Sequence, residues 1–409
     1  MDSMICRFCN SSLEHTFADL GLSPLANAYV SYEYSKRETF FYPLYAKVCS
    51  RCFLVQAEAF SSPEQMFNDY KYFSSNSKSW LKHTKDYVQM VTGRLNLDAN
   101  TLVVEIASND GYLLQYFNEA GVPNYGVEPA HDAARKARVK GIEVVCEYFG
   151  DRLACQLSAE KGKVDLLIGN NVLAHVPDIN DFVTGMKTLL KPAGTITMEF
   201  PHLLNLIKQV QFDTIYHEHF SYFSLNTVAE IFLKHGLMIY DVERLETHGG
   251  SLRIYATHAD NGFKINSSVD DLKKEETDYG LRDLGIYTQF QAKINHIKYT
   301  SISKLSSIKL EGKSIIAYGA AAKGTTFLNY CGIGKDYFEY IVDVTPEKQG
   351  LFLPGTLIPI VDESYIERLK PDYIAILPWN WKEEIINRLS FTREWGCKFI
   401  TFIPELAID

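Results

Sequence analysis

Between residues 101 and 200, short apolar runs alternate with helix-spaced segments, and that alternation leaves few architectures open. Thr101-Leu-Val-Val-Glu105-Ile-Ala107-Ser108-Asn109-Asp110-Gly111 reads as a buried strand running into a turn, and Tyr112 to Glu119 follows at helical spacing. A second strand, Asn124 to Glu128, ends in an acid. Ile142 to Cys146, Val164 to Gly169 and Thr195 to Phe200 supply three more, the last after a Lys-Pro-Ala-Gly turn. The expectation is an α/β domain with a doubly wound sheet, which binds ligands at the carboxyl ends of its strands. An acid ending the second strand can accept hydrogen bonds from both hydroxyls of a ribose. No G-x-G-x-x-G is present in this stretch, so a nicotinamide dinucleotide fits it poorly.

Two C-x-x-C units, Cys6-Arg7-Phe8-Cys9 and Cys49-Ser50-Arg51-Cys52, constrain the N-terminal part. A two-residue gap lets a tight turn aim both sulfurs at one tetrahedral ion, so the two units read as a closed, structural four-thiolate zinc site. The 39 residues between them include strand-like aromatic segments such as Thr39 to Tyr45. Two disulfides are the competing reading, disfavoured in a reducing compartment. Cys146, Cys155, Cys331 and Cys397 are isolated and read as small packed side chains.

The last third repeats the strand-turn-helix theme. Asn261 to Ser307 is polar and periodic and reads as one long amphipathic helix bridging two domains. Lys313 to Tyr318 is an apolar strand running into Gly319-Ala-Ala-Ala-Lys323-Gly324-Thr-Thr326. Gly319, Ala321 and Gly324 have the spacing of a loose dinucleotide fingerprint, with Asp343 at the end of the next strand. Alone, this signals nicotinamide binding. Lys323 precedes Gly324, which excludes a Walker loop. The minimum reading is a second, Rossmann-like domain whose helix N-terminus and Lys323 grip a diphosphate.

Tyr216-His217-Glu218-His219 is the densest cluster of proton-handling groups. It suits either a metal site or proton transfer. If the segment were extended, His217 and His219 would share one face. No third ligand stands at a standard spacing and H-E-x-x-H is absent, so a catalytic metal is disfavoured. His248-Gly249-Gly250 reads either as an ordinary turn or as a loop against a ligand. A net charge of −9 argues against a nucleic-acid binder, and no run of 18 apolar residues suggests a membrane span. Without a leader-like start, the chain is expected to be soluble, cytoplasmic and compatible with a monomer.

From about residue 85 to 200 the pattern resembles the S-adenosylmethionine-dependent methyltransferases. The resemblance implies that Glu105, Ser108 and Asp110 line the methionine part of that cofactor. Glu128 would take the ribose, and Asn170 and Asn171 would lie beside the sulfonium. Ala107 stands where that family usually has glycine. His175 is either close to the reacting centre or a capping histidine.

Taken in order, the whole chain resembles the nucleotide-deoxysugar C-3′-methyltransferases. The resemblance rests on the cysteine pairs, Asp69 to Ser75, Glu105 to Gly111, Phe212 to His219, His248 to Arg253 and Gly319 to Thr326. It implies a zinc-binding domain over 1–68, a class I methyltransferase domain over 69–260, and a helical bridge with a Rossmann-like nucleotide-sugar domain over 261–409. The implied substrate is a dTDP- or GDP-linked 4-keto-6-deoxy sugar. His219 would be the base at C-3′, Glu218 and Tyr216 would orient it or bind the sugar, and Tyr70 or His175 would donate to the enolate oxygen. His248, Gly249, Gly319, Lys323 and Gly324 would contact the substrate. The competing functions are a nicotinamide-dependent sugar oxidoreductase and a non-catalytic adaptor docking through its zinc module.

Overall fold

The computed structural model describes residues 4–60 and 73–409. Its first part is shaped by the two cysteine turns. Asn10 and Phe53, each directly after a second cysteine, take left-handed backbone with φ of 61° and 58°. Their N–H groups donate to the carbonyls of Cys6 and Cys49 at 3.0 and 2.9 Å, which closes two equivalent knuckles. Between the knuckles run β1 (His15–Ser23) and β2 (Tyr42–Val48), paired antiparallel, and β3 (Val55–Ala57) follows the second knuckle onto β2.

The central stretch forms β4 (Val103–Ile106), β5 (Asn124–Val127), β6 (Val144–Val145), β7 (Val164–Asn170) and β8 (Leu190–Pro201), all mutually parallel. Every residue of β4 is buried, as a strand covered by helices on both faces must be. The expected Lys-Pro-Ala-Gly turn is instead a bulge inside β8, because Val164 pairs with Leu190 and Leu166 with Thr195. Then come β9 (Ser221–Tyr222), β10 (Leu237–Leu245) and β11 (Ser251–His258). The sheet order is β10-β11-β8-β7-β4-β5-β6, with β11 antiparallel to both neighbours. This is the doubly wound, mostly parallel sheet expected of a class I methyltransferase core. β9 leaves it and pairs with β3, making the fourth strand of the N-terminal sheet.

The expected single helix over 261–307 is three: Ser267–Tyr279, Leu284–Thr288 and Phe290–Leu310. Gly280, at φ 101°, ends the first, and the Asp283 side chain caps the second by accepting the Gly285 N–H. The third packs against two different sheets. Its Phe290 stacks on Phe17 of β1 at 4.5 Å between centroids, while Ile294 and Ile308 share one core with Ile315 and Ile341 of the last domain. That domain holds β12 (Ile315–Tyr318), β13 (Ile341–Val342), β14 (Ile360–Val361), β15 (Tyr373–Ile376), β16 (Lys398–Thr401) and β17 (Ala407–Ile408). The order β14-β13-β12-β15-β16-β17 is parallel except for β17, a Rossmann-like sheet. Among the described residues no helix is long and apolar enough to cross a membrane.

Candidate active site

The adjacent parallel strands β4, β5 and β7 bring the candidate cofactor residues together at their carboxyl ends. The turn after β4 carries Ala107 and Asn109 in left-handed backbone, with φ of 57° and 48°. A side chain in that region costs roughly 1–2 kcal/mol, which explains why glycine is usual where Ala107 stands. Glu105 on β4 is fully buried, and neither of its oxygens has a hydrogen bond of ordinary geometry. Burial pushes its pKa well above the usual carboxylate range, and the neighbouring Tyr112 hydroxyl offsets only part of that. Ser108 Oγ, both amide atoms of Asn170 and Asn171 Oδ1 are also buried without a hydrogen bond of ordinary geometry. Leaving such atoms unpaired costs about 1–3 kcal/mol each. A group of them at the ends of two adjacent strands, β4 and β7, fits the polar amino-acid end of S-adenosylmethionine. Glu128 accepts the N–H groups of Asn109 and Ala130 at 2.9 and 2.8 Å. Asp110 faces Lys140 at 3.2 Å and the Ser75 N–H at 3.4 Å.

His219 lies close to the carboxyl end of β7, against His175 of the short turn that follows that strand. Phe212–Thr214 is a single helical turn, after which Tyr216 and His219 are joined by a 2.9 Å bond from the His219 N–H to the Tyr216 carbonyl. The segment therefore turns instead of extending, and the two histidines part. His217 sits 3.1 Å from the Pro43 carbonyl and edge-on to Tyr42, facing the N-terminal domain. The His219 ring meets Tyr216 at 4.0 Å and His175 at 4.7 Å between centroids. Its Nδ1 is 2.8 Å from the Thr214 carbonyl. A carbonyl can only accept, so the proton is on Nδ1 and the Nε2 lone pair is open. Burial, with His175 and Lys323 nearby, holds the His219 pKa well below the ordinary value. Burial also takes His175 down to about 4. Glu218 is buried and accepts the Asn27 side-chain amide at 2.8 and 3.0 Å. Burial raises its pKa to about 7 against that amide.

His248, at φ 56°, accepts the Asn171 amide at 3.2 Å through Nε2, and packs edge to face with Trp80 at 5.4 Å between ring centroids. Burial and Lys323 bring its pKa down to about 4. A Cβ on Gly249 would fall 2.4 Å from the Trp379 ring of the last domain, so glycine is required there. Trp379 Nε1 donates to Asp213 at 2.8 Å, and Lys323 Nζ lies 4.6 Å from the Trp379 ring centroid. Lys323 is thus brought to the histidines. Gly319 and Gly324 are demanded by close packing, since a Cβ on either would meet Pro378 at 2.4 Å or Leu377 at 2.9 Å. Asp343, at the end of β13, is held as Glu128 is: its two oxygens accept backbone N–H groups from Ala320 and Thr345, and Lys348 lies 3.6 Å away. Tyr70 lies outside the described residues.

Asp213, Trp379, Trp80 and Asn27 complete the site without having been singled out from the sequence. Asp213 lies inside the quoted Phe212 to His219 segment, and Trp379 closes the strand ending at Leu377. Asn27 has no local signature: it meets Glu218 across 191 residues. A cavity of about 630 Å³ lies next to it, walled by Leu25, Tyr34, Arg37, Phe40, Tyr42 and Pro354.

The four N-terminal sulfurs lie within 4.8 Å of one another, Cys6 to Cys52 at 3.6 Å and Cys9 to Cys49 at 3.5 Å. A disulfide needs about 2.05 Å, whereas a tetrahedral zinc–sulfur bond of about 2.3 Å places sulfurs ~3.8 Å apart. The geometry fits zinc. The Gln56 amide donates to Cys6 Sγ at 3.2 Å, an outer contact of the kind that orients metal ligands. Among the described residues this is the only such group of metal-binding side chains.

The chain matches three domain families in sequence: a zinc binding domain over residues 6–67, a methyltransferase domain over 81–242 and a C-methyltransferase C-terminal domain over 246–404. The C-methyltransferase NovU of Streptomyces niveus is 33% identical over 400 residues, 98% of this chain and 95% of that protein. The ubiquinone biosynthesis O-methyltransferase of Bordetella avium (strain 197N) is 26% identical over 113 residues, 27% of this chain and 46% of that protein. Among solved structures, the PH0226 protein from Pyrococcus horikoshii OT3 aligns at 17% identity and a TM-score of 0.38, covering 49% of this chain and 100% of that one.

Proposed function

We infer that this chain, which belongs to the C-methyltransferase family, places the methyl group of S-adenosylmethionine on C-3′ of a nucleotide-linked 4-keto-6-deoxy sugar. The observation that carries the reading is His219: neutral, with its Nδ1 proton committed to Thr214 and its Nε2 open beside the cofactor cleft. Carbon methylation needs a carbanion equivalent. A 4-keto group makes the adjacent C–H acidic, because the electron pair left behind delocalises onto the keto oxygen. His219 Nε2 takes that proton, as a neutral imidazole can. Lys323 and His175 flank the ring, and we assign to His175 or Tyr70 the hydrogen bond to the enolate oxygen. Glu105, Ser108, Asn170 and Asn171 hold S-adenosylmethionine, with Glu128 at its ribose. When bound, that cofactor supplies an electrophilic methyl group. The nucleotide end has room in the cavity beside Asn27, which is of ordinary ligand size.

The test is incubation with methyl-labelled S-adenosylmethionine and dTDP- or GDP-linked 4-keto-6-deoxy sugars. Carbon-bound label at C-3′ is expected; label on oxygen or nitrogen, or none with either carrier, defeats the reading.

The pH dependence separates two groups. His219, whose pKa is depressed, stays unprotonated through the ordinary histidine range and gives no acid limb there. Glu218, pushed up to about 7, does titrate there and loses its charge as pH falls. Because the charged carboxylate is what accepts the Asn27 amide on both oxygens beside the His219 segment, an acid limb in kcat/KM near pH 7 is expected, and Glu218→Gln should abolish it. A limb that survives this substitution near the ordinary histidine pKa would contradict the state assigned to His219.

A further inference from the structure

A zinc ion closed in by four cysteines touches no substrate. Here, however, one residue links the zinc site to both histidines of the cleft. Phe220, directly after His219, is fully buried. Its carbonyl accepts Arg7 Nη1 at 2.9 Å and the Ala57 N–H at 3.0 Å. Its own N–H donates to the Ala174 carbonyl at 2.7 Å, and Ala174 precedes His175. The Arg7 guanidinium also lies over the Phe220 ring, 5.2 Å from its centroid.

Arg7 stands between Cys6 and Cys9 in the first knuckle. Its N–H donates to Gln56 Oε1 at 2.9 Å, and the amide of the same glutamine donates to Cys6 Sγ. Gln56 belongs to β3, where it pairs with Ser221 of β9. The second knuckle therefore delivers the strand that receives β9, and the first delivers the cation that grips Phe220.

We propose that the zinc knuckles position the His175–His219 pair, with Arg7 as a positioning residue acting through the Phe220 carbonyl. This rests on the reading of His219 as the base. A charge-assisted hydrogen bond from a rigid, planar donor fixes direction as well as distance. Phe220 sets where the chain leaves His219, and through Ala174 it sets the ring facing it. Loss of the Arg7 contact lets that node shift while the zinc stays bound, and a displacement of about 1 Å at a reacting group costs about 10²-fold in rate.

The experiment compares wild type with Arg7→Ala and Arg7→Lys in the full-length, zinc-loaded protein. Expected for Arg7→Ala are a kcat lowered about 10- to 100-fold, unchanged KM for the keto sugar, unchanged S-adenosylmethionine affinity and full zinc content. Arg7→Lys should fall between the two. Amide hydrogen exchange across residues 216–222 should quicken in both variants, and guanidinium ion in the buffer should restore part of the rate of Arg7→Ala. Wild-type kcat in Arg7→Ala overturns the proposal. So does loss of zinc in Arg7→Ala, which would make Arg7 a prop of the metal site alone. If wild type methylates no keto sugar, the chemical reading fails separately, and the exchange measurement, which needs no substrate, still decides the link from Arg7 to the histidine segment.

Discussion

Replacing His219 with glutamine or alanine is expected to lower methyl transfer by about 10²–10⁴-fold, the usual contribution of a general base. Three features combine at that ring. The Thr214 carbonyl fixes the tautomer and leaves Nε2 as the only basic atom. Burial keeps the ring neutral at the pH where it must accept a proton. His175, neutral for the same reason, stands edge-on at 4.7 Å without competing for charge. Glutamine is the sharper substitution, since its amide can keep the bond to Thr214 while offering no basic nitrogen. S-adenosylmethionine affinity should survive, because Glu105, Ser108 and Asn170 sit on other strands. Exchange of the C-3′ proton with deuterated solvent should be lost in parallel with methyl transfer. His217→Gln is the internal control: that ring faces Pro43, so its loss should leave proton exchange intact. Proton exchange at the wild-type rate in His219→Gln would remove the base assignment.

The sequence carried the local elements well, because strand and turn patterns are written in neighbouring residues. Val103–Ile106 is buried throughout and apolar but for Glu105, and the acid at 128 falls just past the end of its strand. The paired C-x-x-C turns show their geometry in their spacing. What stayed hidden depends on partners far along the chain. Nothing near His217 announces that Pro43 will take its ring while Thr214 takes that of His219. Nothing in Ser221–Tyr222 says that this short strand belongs to the N-terminal sheet. Asp343 stands where a ribose-binding acid should, and only the fold shows its oxygens accepting the Ala320 and Thr345 N–H groups. Trp379 reaches Asp213 across 166 residues. The helical period across 261–307 conceals the stop at Gly280, whose φ of 101° ends the first helix.

Removing zinc should do more damage to the fold than any other single change. In Cys49→Ser, or in wild type stripped by a chelator, zinc content should fall from one per chain, with a large drop in Tm and loss of activity. Structural zinc contributes apparent binding free energies of about 10–16 kcal/mol, against a total stability of about 5–15 kcal/mol for a typical domain. The N-terminal part has little to replace it. Cys6, Cys49 and Cys52 are themselves buried core, packed in one cluster with Phe8, Leu13 and Leu54 and with Ile179, Phe182 and Phe232 of the central domain. The knuckle backbone is also read by that domain: Asn180 donates to the Arg7 carbonyl at 2.7 Å, Lys234 to that of Phe8 at 3.1 Å and Thr227 to that of Cys52 at 3.2 Å. Each of these bonds requires the folded knuckle. Unfolding of the module would free β3, strip β9 of its partner and release the segment behind His219, so activity should be lost with the first unfolding transition. Cys155→Ser, at an exposed position away from the cluster, should change neither zinc content nor Tm. A metal-free protein that melted at the wild-type temperature would show that packing alone holds the module, and the four cysteines would then lose their structural role.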